Sequence, residues 1–288
     1  MYIKEYGNYK NPPILFLHGG PGFNSINFEL STAQKLADNG YFVIVYDRTG
    51  EGRSRELKSN YTFEECINDI DNILVKYNLN KINLLAHSFG GLIATKYAEK
   101  NASKVESIIF ISAPFSYQNI LKETLSSLKK IYTENNDSVN LNYIKMIENM
   151  NTESLEYNSY ILMHAMANKF YSPKNKTLEA QNLYSLINSN EEYIENSKNI
   201  NYNSTLGYWK NEKYTGIDLR SSISKNLNEK IHLYGIYGDE DGIIPKNEIE
   251  NIKETISKNN VIILEGSSHN LFIDQQDLFI ESIKNWVK

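Results

Sequence analysis

The stretch Ile82-Asn83-Leu84-Leu85-Ala86-His87-Ser88-Phe89-Gly90-Gly91-Leu92-Ile93-Ala94 constrains the fold more than any other part of this chain. An apolar strand runs straight into a helical segment, and Ser88 stands at the junction. So sharp a turn needs small residues where strand and helix approach, and Ala86 and Gly90 flank the serine at those positions. The serine is then held in a strained backbone conformation that presents its hydroxyl above the end of the strand. Turns of this type usually have glycine before the serine as well, so Ala86 adds one methyl. The following helix aims the partial positive charge of its N-terminus at the same point, where it favours a developing anion. An ordinary strand-to-helix turn with a serine N-cap would use the same letters. The rest of the chain decides between the two.

Short apolar runs alternate with longer segments of helical period, which predicts an α/β fold with a mostly parallel central sheet flanked by helices. The expected core strands are Ile14–His18, Tyr41–Tyr46, Ile82–Ala86, Ser107–Ser112, Ile231–Tyr237 and Val261–Leu264, with Tyr2–Tyr6 as an edge strand. Most are nearly continuous in Ile, Leu, Val, Phe and Tyr, as expected when helices cover both faces. Helices are expected at Phe63–Tyr77, Ser88–Asn101, Lys246–Ser257 and Gln275–Val287. The alternation stops at Pro114 and resumes after Asn228. The chain therefore divides into a core of residues 1–113 and 229–288 and a mostly helical cap at 114–228. A cap of this kind is expected over the carboxyl edge of the sheet, where ligands bind in such folds.

Composition narrows the function classes. A net charge of -5 gives no basic face for nucleic acid or an anionic membrane. Cys66 is the only cysteine, so no internal disulfide can form. It sits in a stretch of helical period and reads as a packing residue. The start, Met1-Tyr2-Ile3-Lys4-Glu5, lacks a signal-peptide pattern. No run approaches the roughly 20 apolar residues of a membrane span, and a cytoplasmic location is expected. The histidines lack paired metal-ligand spacing and no Gly-rich loop fits a dinucleotide, so neither metal nor cofactor is expected.

The remaining signals favour nucleophilic chemistry at Ser88. A serine hydroxyl needs a base to take its proton, and the base needs a carboxylate to fix its tautomer. Of five histidines, His18 lies in a glycine-rich loop, His87 adjoins Ser88 and should project away from it, His164 is in the insertion, and His232 opens a strand. His269 follows the last strand in the loop Glu265–His269, which can carry an imidazole over the nucleophile. The acid should follow the preceding strand. Three acids stand there, Asp239, Glu240 and Asp241, and the turn begun by Gly238 is expected to bring Asp241 inward. The loop His18-Gly19-Gly20-Pro21-Gly22 after the first core strand can supply a backbone N–H for an oxyanion from Gly20, with Phe89 supplying the second. Asp47 and Arg48, in Asp47-Arg48-Thr49-Gly50-Glu51-Gly52-Arg53-Ser54, read as loop-supporting residues.

With these pieces in order, the chain resembles the α/β-hydrolase superfamily over nearly its whole length. His18–Gly22 together with Asp47–Ser54 is most similar to the proline iminopeptidase branch. That resemblance implies an enzyme that removes N-terminal residues from short peptides, with a helical cap over a serine triad. It carries the nucleophile onto Ser88, the acid onto Asp241, the base onto His269 and the oxyanion donors onto Gly20 and Phe89. The branch usually has Gly-Gln-Ser-Trp-Gly-Gly around its nucleophile, which this chain does not match. The branch also holds the substrate's amino group with cap acids, for which Glu153, Glu156 and Glu212 are the candidates here. Tyr157, Tyr160, Tyr171, Tyr202, Tyr208 and Trp209 are available to line a pocket or to pack. A carboxylesterase or lactonase acting on small apolar esters would use the same triad without binding an ammonium. A ligand-binding receptor with a hydrolase shell is a third possibility. Haloalkane dehalogenases and epoxide hydrolases of this superfamily need a carboxylate at the position of Ser88, which excludes them.

Overall fold

The computed structural model describes residues 1–199 and 201–288. Its seven strands are β1 (Ile3–Tyr6), β2 (Pro13–Leu17), β3 (Phe42–Tyr46), β4 (Ile82–His87), β5 (Val105–Ile111), β6 (His232–Gly238) and β7 (Val261–Leu264). They form one sheet in the order β1-β3-β2-β4-β5-β6-β7. Only β1 runs antiparallel, pairing Ile3 with Tyr46 and Tyr6 with Val43 along the edge. The central strands are buried on both faces, which is why β3 reads Phe-Val-Ile-Val-Tyr without alternation.

After β2 the chain moves outward to β3 and then returns across β2 to place β4 on its other side. That reversal opens a crevice at the carboxyl ends of β2 and β4, where Leu17 pairs with Ala86. Both the loop after β2 and the turn after β4 emerge there.

Each helix has a local cause. Phe63–Lys76 starts at Thr62, whose side chain accepts the Glu65 N–H, and buries Phe63, Ile67, Ile70 and Ile73 along one stripe. The helix Phe89–Asn101 lacks a side-chain cap, because Ser88 adopts φ 52° and ψ -118° and turns its hydroxyl elsewhere. The N-cap reading of that serine is thereby removed.

Residues 26–38 are helical, with a π turn at Glu29–Ala33, although the sequence reading assigns them no element. Their Asn, Ser and Thr residues weaken helix propensity, and packing overrides it. Phe28 stacks on Phe16 with ring centroids 3.8 Å apart, Phe272 meets both edge-on, and Thr32 Oγ1 donates to the Phe272 carbonyl at 2.8 Å. Such aromatic pairs add about 0.5–1.5 kcal/mol each beyond their area.

Between β5 and β6 lie the helices Tyr117–Glu134, Ser138–Glu148, Leu155–Ala167, Leu178–Ser189, Glu191–Lys198 and Tyr202–Glu212. The polar composition of this insertion has a structural use. Ser116, Asp137, Ser154, Thr177, Asn190 and Asn201 each cap the helix that follows by accepting a backbone N–H. The insertion reaches the strand-end loops: Phe170 O accepts the Gly242 N–H at 2.9 Å, and Asn201 donates to Gly50 O at 2.6 Å.

At the crevice the backbones meet most closely at Gly90, where a Cβ would lie 2.2 Å from the Leu17 carbonyl oxygen. Neither backbone can yield without moving the crevice. Gly90→Ala is expected to cost about 3 kcal/mol, the upper range for overpacking. Urea denaturation measures this, and an unchanged midpoint would refute the close approach.

Candidate active site

Ser88 stands at the mouth of the crevice, half-buried, in a backbone region that non-glycine residues occupy only under constraint. Its N–H donates to Ile111 O at 2.9 Å, which anchors the turn to β5. Gly19 presses against it from the β2 loop: a Cβ there would be 3.3 Å from Ser88 Cβ. Among the described residues, neither the Gly20 nor the Phe89 N–H has an acceptor in the protein. Phe89 opens the helix that follows Ser88, so its N–H is among the first amides that have no partner within the helix. One uncommitted donor thus directly follows the serine in the chain, and the other follows Gly19, which packs against it.

The acid and the imidazole meet across the ends of β6 and β7. His269 Nδ1 lies 2.9 Å from Asp241 Oδ2, and both side chains are buried. Asp241 Oδ1 accepts the N–H groups of Ile243 and Ile244 at 2.9 and 3.2 Å, which fixes the carboxylate plane. The two loops can approach only because residue 238 is glycine, where a Cβ would lie 2.3 Å from the Ser267 carbonyl oxygen. Of the other acids, Asp239 is exposed, and Glu240 accepts the Lys174 N–H at 2.6 Å. The latter joins the insertion and does not turn toward His269.

His87 does more than turn away from Ser88. Its Nε2 lies 3.0 Å from the His269 carbonyl oxygen, an acceptor, so the proton sits on Nε2. Its ring faces those of His269 and Phe272 at 5.1 and 5.2 Å. Burial, followed by the neighbouring His269, lowers its pKa to about 3. The residue before the serine thus props the backbone that carries His269. With Nδ1 committed to Asp241, Nε2 is the nitrogen His269 has left for a proton transfer. Ser88 Oγ makes no hydrogen bond within the protein among the described residues.

The loop after β2 is held by buried charge. Arg48 donates to Glu51 Oε2 at 2.8 Å, to His18 O at 2.6 Å and to Gly19 O at 2.7 Å. His18 accepts the Arg48 N–H on Nε2 and keeps its proton on Nδ1, 2.8 Å from Gly19 O. Burial and then the Arg48 guanidinium hold its pKa well below the usual imidazole range. Asp47 Oδ1 accepts from Ser25 N and Oγ, while Oδ2 accepts from Arg53. Burial opposes ionisation of Asp47, but the Arg53 hydrogen bonds outweigh it and lower the pKa.

The insertion residues expected to bind substrate are exposed or have partners within the protein. Glu212 Oε1 accepts the Phe63 N–H at 2.7 Å, satisfying a helix start in the core. Glu153 and Glu156 face solvent, and the Glu153 carbonyl accepts the Trp209 indole N–H at 2.8 Å. Trp209 is half-buried against the core, with Lys213 Nζ 4.1 Å from its ring centroid. Tyr208 is buried behind the site, its ring 5.3 Å from Phe89 and its hydroxyl 2.9 Å from Cys66 Sγ. Tyr171 does reach the site, with its ring edge-on to His269 at 5.1 Å and its carbonyl accepting from Ser268 Oγ. Side-chain direction on a helix depends on the neighbouring helices, and the sequence carried no signal for it.

A hydroxyl on a strained turn, two free amides and a carboxylate-bound imidazole together can support acyl transfer. Among the described residues, no group of three or more His, Cys, Asp and Glu side chains could hold a metal ion. No helix among them is long and apolar enough to cross a membrane.

Comparison with known proteins agrees with this architecture. The α/β hydrolase fold family matches residues 12–276. A proline iminopeptidase of Pestalotiopsis fici is 25% identical over 95% of this chain and 91% of its own. Among solved structures, a proline iminopeptidase-related protein from Thermus thermophilus superposes with a TM-score of 0.70. It is 19% identical and covers 99% of this chain and 91% of its own. An esterase from Exiguobacterium antarcticum gives a TM-score of 0.63 at 19% identity, covering 99% and 94%. The chain belongs to the α/β-hydrolase fold family and is a hydrolase of proline iminopeptidase-like sequence.

Proposed function

We propose that this protein is a serine hydrolase that removes the N-terminal residue from short peptides. The observation that carries the reading is the buried Asp241–His269 pair, 2.9 Å apart, beside the strained turn that presents Ser88. Similarity to proline iminopeptidases over nearly the whole chain supports the choice of peptide substrate.

In this mechanism His269 Nε2 takes the Ser88 proton as Oγ attacks the carbonyl carbon of the N-terminal residue. The carbonyl electrons move onto oxygen, where the N–H groups of Gly20 and Phe89 receive the charge. Collapse breaks the C–N bond, and the leaving amine takes the proton from His269. Water then attacks the acyl group with His269 again as base, releasing the amino acid and restoring Ser88. Asp241 holds the imidazole in the tautomer that leaves Nε2 free. The hydrogen bond from Ser88 to His269 forms with substrate in place, as such bonds commonly tighten only then.

A second reading, a carboxylesterase acting on small apolar esters, has its own support. Glu153 and Glu156 are exposed and Glu212 Oε1 already accepts the Phe63 N–H, whereas a small apolar ester needs no carboxylate for an ammonium. Turnover of proline and alanine arylamides against short-chain aryl esters separates the two. The peptidase reading expects arylamide hydrolysis, and hydrolysis of esters alone would sink it. Ser88→Ala is expected to lower kcat/KM by about 10⁴-fold or more on the active substrate, and Asp241→Asn by about 10⁴-fold. Wild-type rates in the serine variant would end both readings.

Two buried neutral imidazoles also predict acid lability. An unfolded His87 binds a proton near pH 6.5, whereas folded His87 resists protonation until about pH 3. Stability present above pH 6.5 is therefore lost as pH falls through that window, by up to about 1.4 kcal/mol per pH unit for each such group. His18, also held low, acts in the same direction. Urea denaturation between pH 7 and 5 should show this slope, reduced by one proton in His87→Gln. Equal slopes in the two proteins would contradict it.

A further inference from the structure

The loop His18–Gly22 is gripped along its backbone, and one of the grips comes from the insertion. Glu51 is fully buried, and its Oε1 accepts both the Gly22 N–H at 3.0 Å and the hydroxyl of Ser204. Its Oε2 holds Arg48, whose guanidinium in turn holds His18 O and Gly19 O. Thr205 Oγ1 donates to Pro21 O at 3.3 Å. The groups of His18, Gly19, Pro21 and Gly22 are thus fixed around a Gly20 N–H that stays uncommitted.

Ser204 is placed oddly for a residue with a merely local role. It lies in the first turn of the helix Tyr202–Glu212, where serine is a poorer helix former than alanine. It is not needed as a cap, since Asn201 accepts the Asn203 N–H. It is fully buried, and its hydroxyl is spent on a carboxylate of the core. A buried carboxylate oxygen takes its position from the donors that satisfy it. Removing one of the two donors on Glu51 Oε1 lets that oxygen, and with it the Gly22 amide, shift.

We infer that Ser204 is a positioning residue: through Glu51 it ties the seating of the insertion to the placement of the Gly20 N–H. This rests on the serine-hydrolase reading, in which that N–H receives the oxyanion. The insertion then does more than cover the site. It completes the donor geometry that matters when the carbonyl becomes tetrahedral, so its effect falls on the transition state and not on ground-state binding.

The test is steady-state kinetics of Ser204→Ala on whichever probe class, arylamide or aryl ester, the wild type turns over. Inhibition by a phenylboronic acid, which forms a tetrahedral adduct on a serine hydroxyl, is measured alongside. The expected result is kcat down about tenfold, KM within about twofold, and the boronate inhibition constant raised by about the same factor as kcat falls. Ser197→Ala, on an exposed neighbouring helix, serves as the control and should match wild type. Should the alanine variant not fold, the near-isosteric Ser204→Cys, a weaker donor, carries the same comparison with a smaller change in the same direction. An unchanged kcat, or KM rising in step with the fall in kcat while the boronate constant holds, overturns the inference. If Ser88→Ala is inactive while Ser204→Ala is unimpaired, this inference alone fails. If Ser88→Ala is fully active, the serine reading fails and takes this one with it.

Discussion

A guanidinium sealed from water governs one end of this sheet. Arg48 is fully buried, and such a charge is tolerated only when a counter-ion and hydrogen-bond acceptors surround it. Glu51 supplies the charge, while the carbonyls of His18 and Gly19 supply further acceptors. The ring of Phe89 covers the guanidinium at 5.3 Å. Those carbonyls are spent on Arg48 and the Gly22 N–H on Glu51, which leaves the Gly20 N–H between them without a partner among the described residues. The loop that follows β3 therefore dictates the shape of the loop that follows β2. Losing either partner of the pair would leave an uncompensated charge in the core, a loss of about 3–5 kcal/mol.

The other side of the crevice is organised by backbone proximity. Gly90 lets the helix after β4 press against the end of β2, and Gly238 lets the end of β6 meet the loop after β7, at distances that any side chain would block. The consequence is a site assembled from chain segments far apart in sequence, with little freedom to drift. His87 links the halves, its ring holding the His269 carbonyl while its backbone is contiguous with Ser88.

Much of this was legible in the residues. Buried parallel strands have to be continuously apolar, and β2 to β7 each lie within two residues of the expected bounds. The pairing of Asp241 with His269 followed from strand order and from Gly238 starting the turn. What escaped were features set by packing. Residues 26–38 look like loop by propensity but are pinned by Phe16 and Phe272. The acids of the insertion were candidates only through the family resemblance, and nothing in the sequence showed that Glu212 also satisfies a helix start. The role of His87 depended on which side of the pleat met the last loop, and a single sequence does not carry that.

The contact of Cys66 with Tyr208 has a bearing on how the protein meets its chemical surroundings. The thiol is sealed in the core, and burial pushes its pKa up to about 12. A thiol so rarely ionised and so well covered is a poor target for alkylating agents or peroxide while the fold is intact. Labelling of this sulfur would therefore report that the helix carrying Tyr208 had lifted from the core. Loss of activity under thiol reagents would trace to that opening and not to chemistry at the reacting centre.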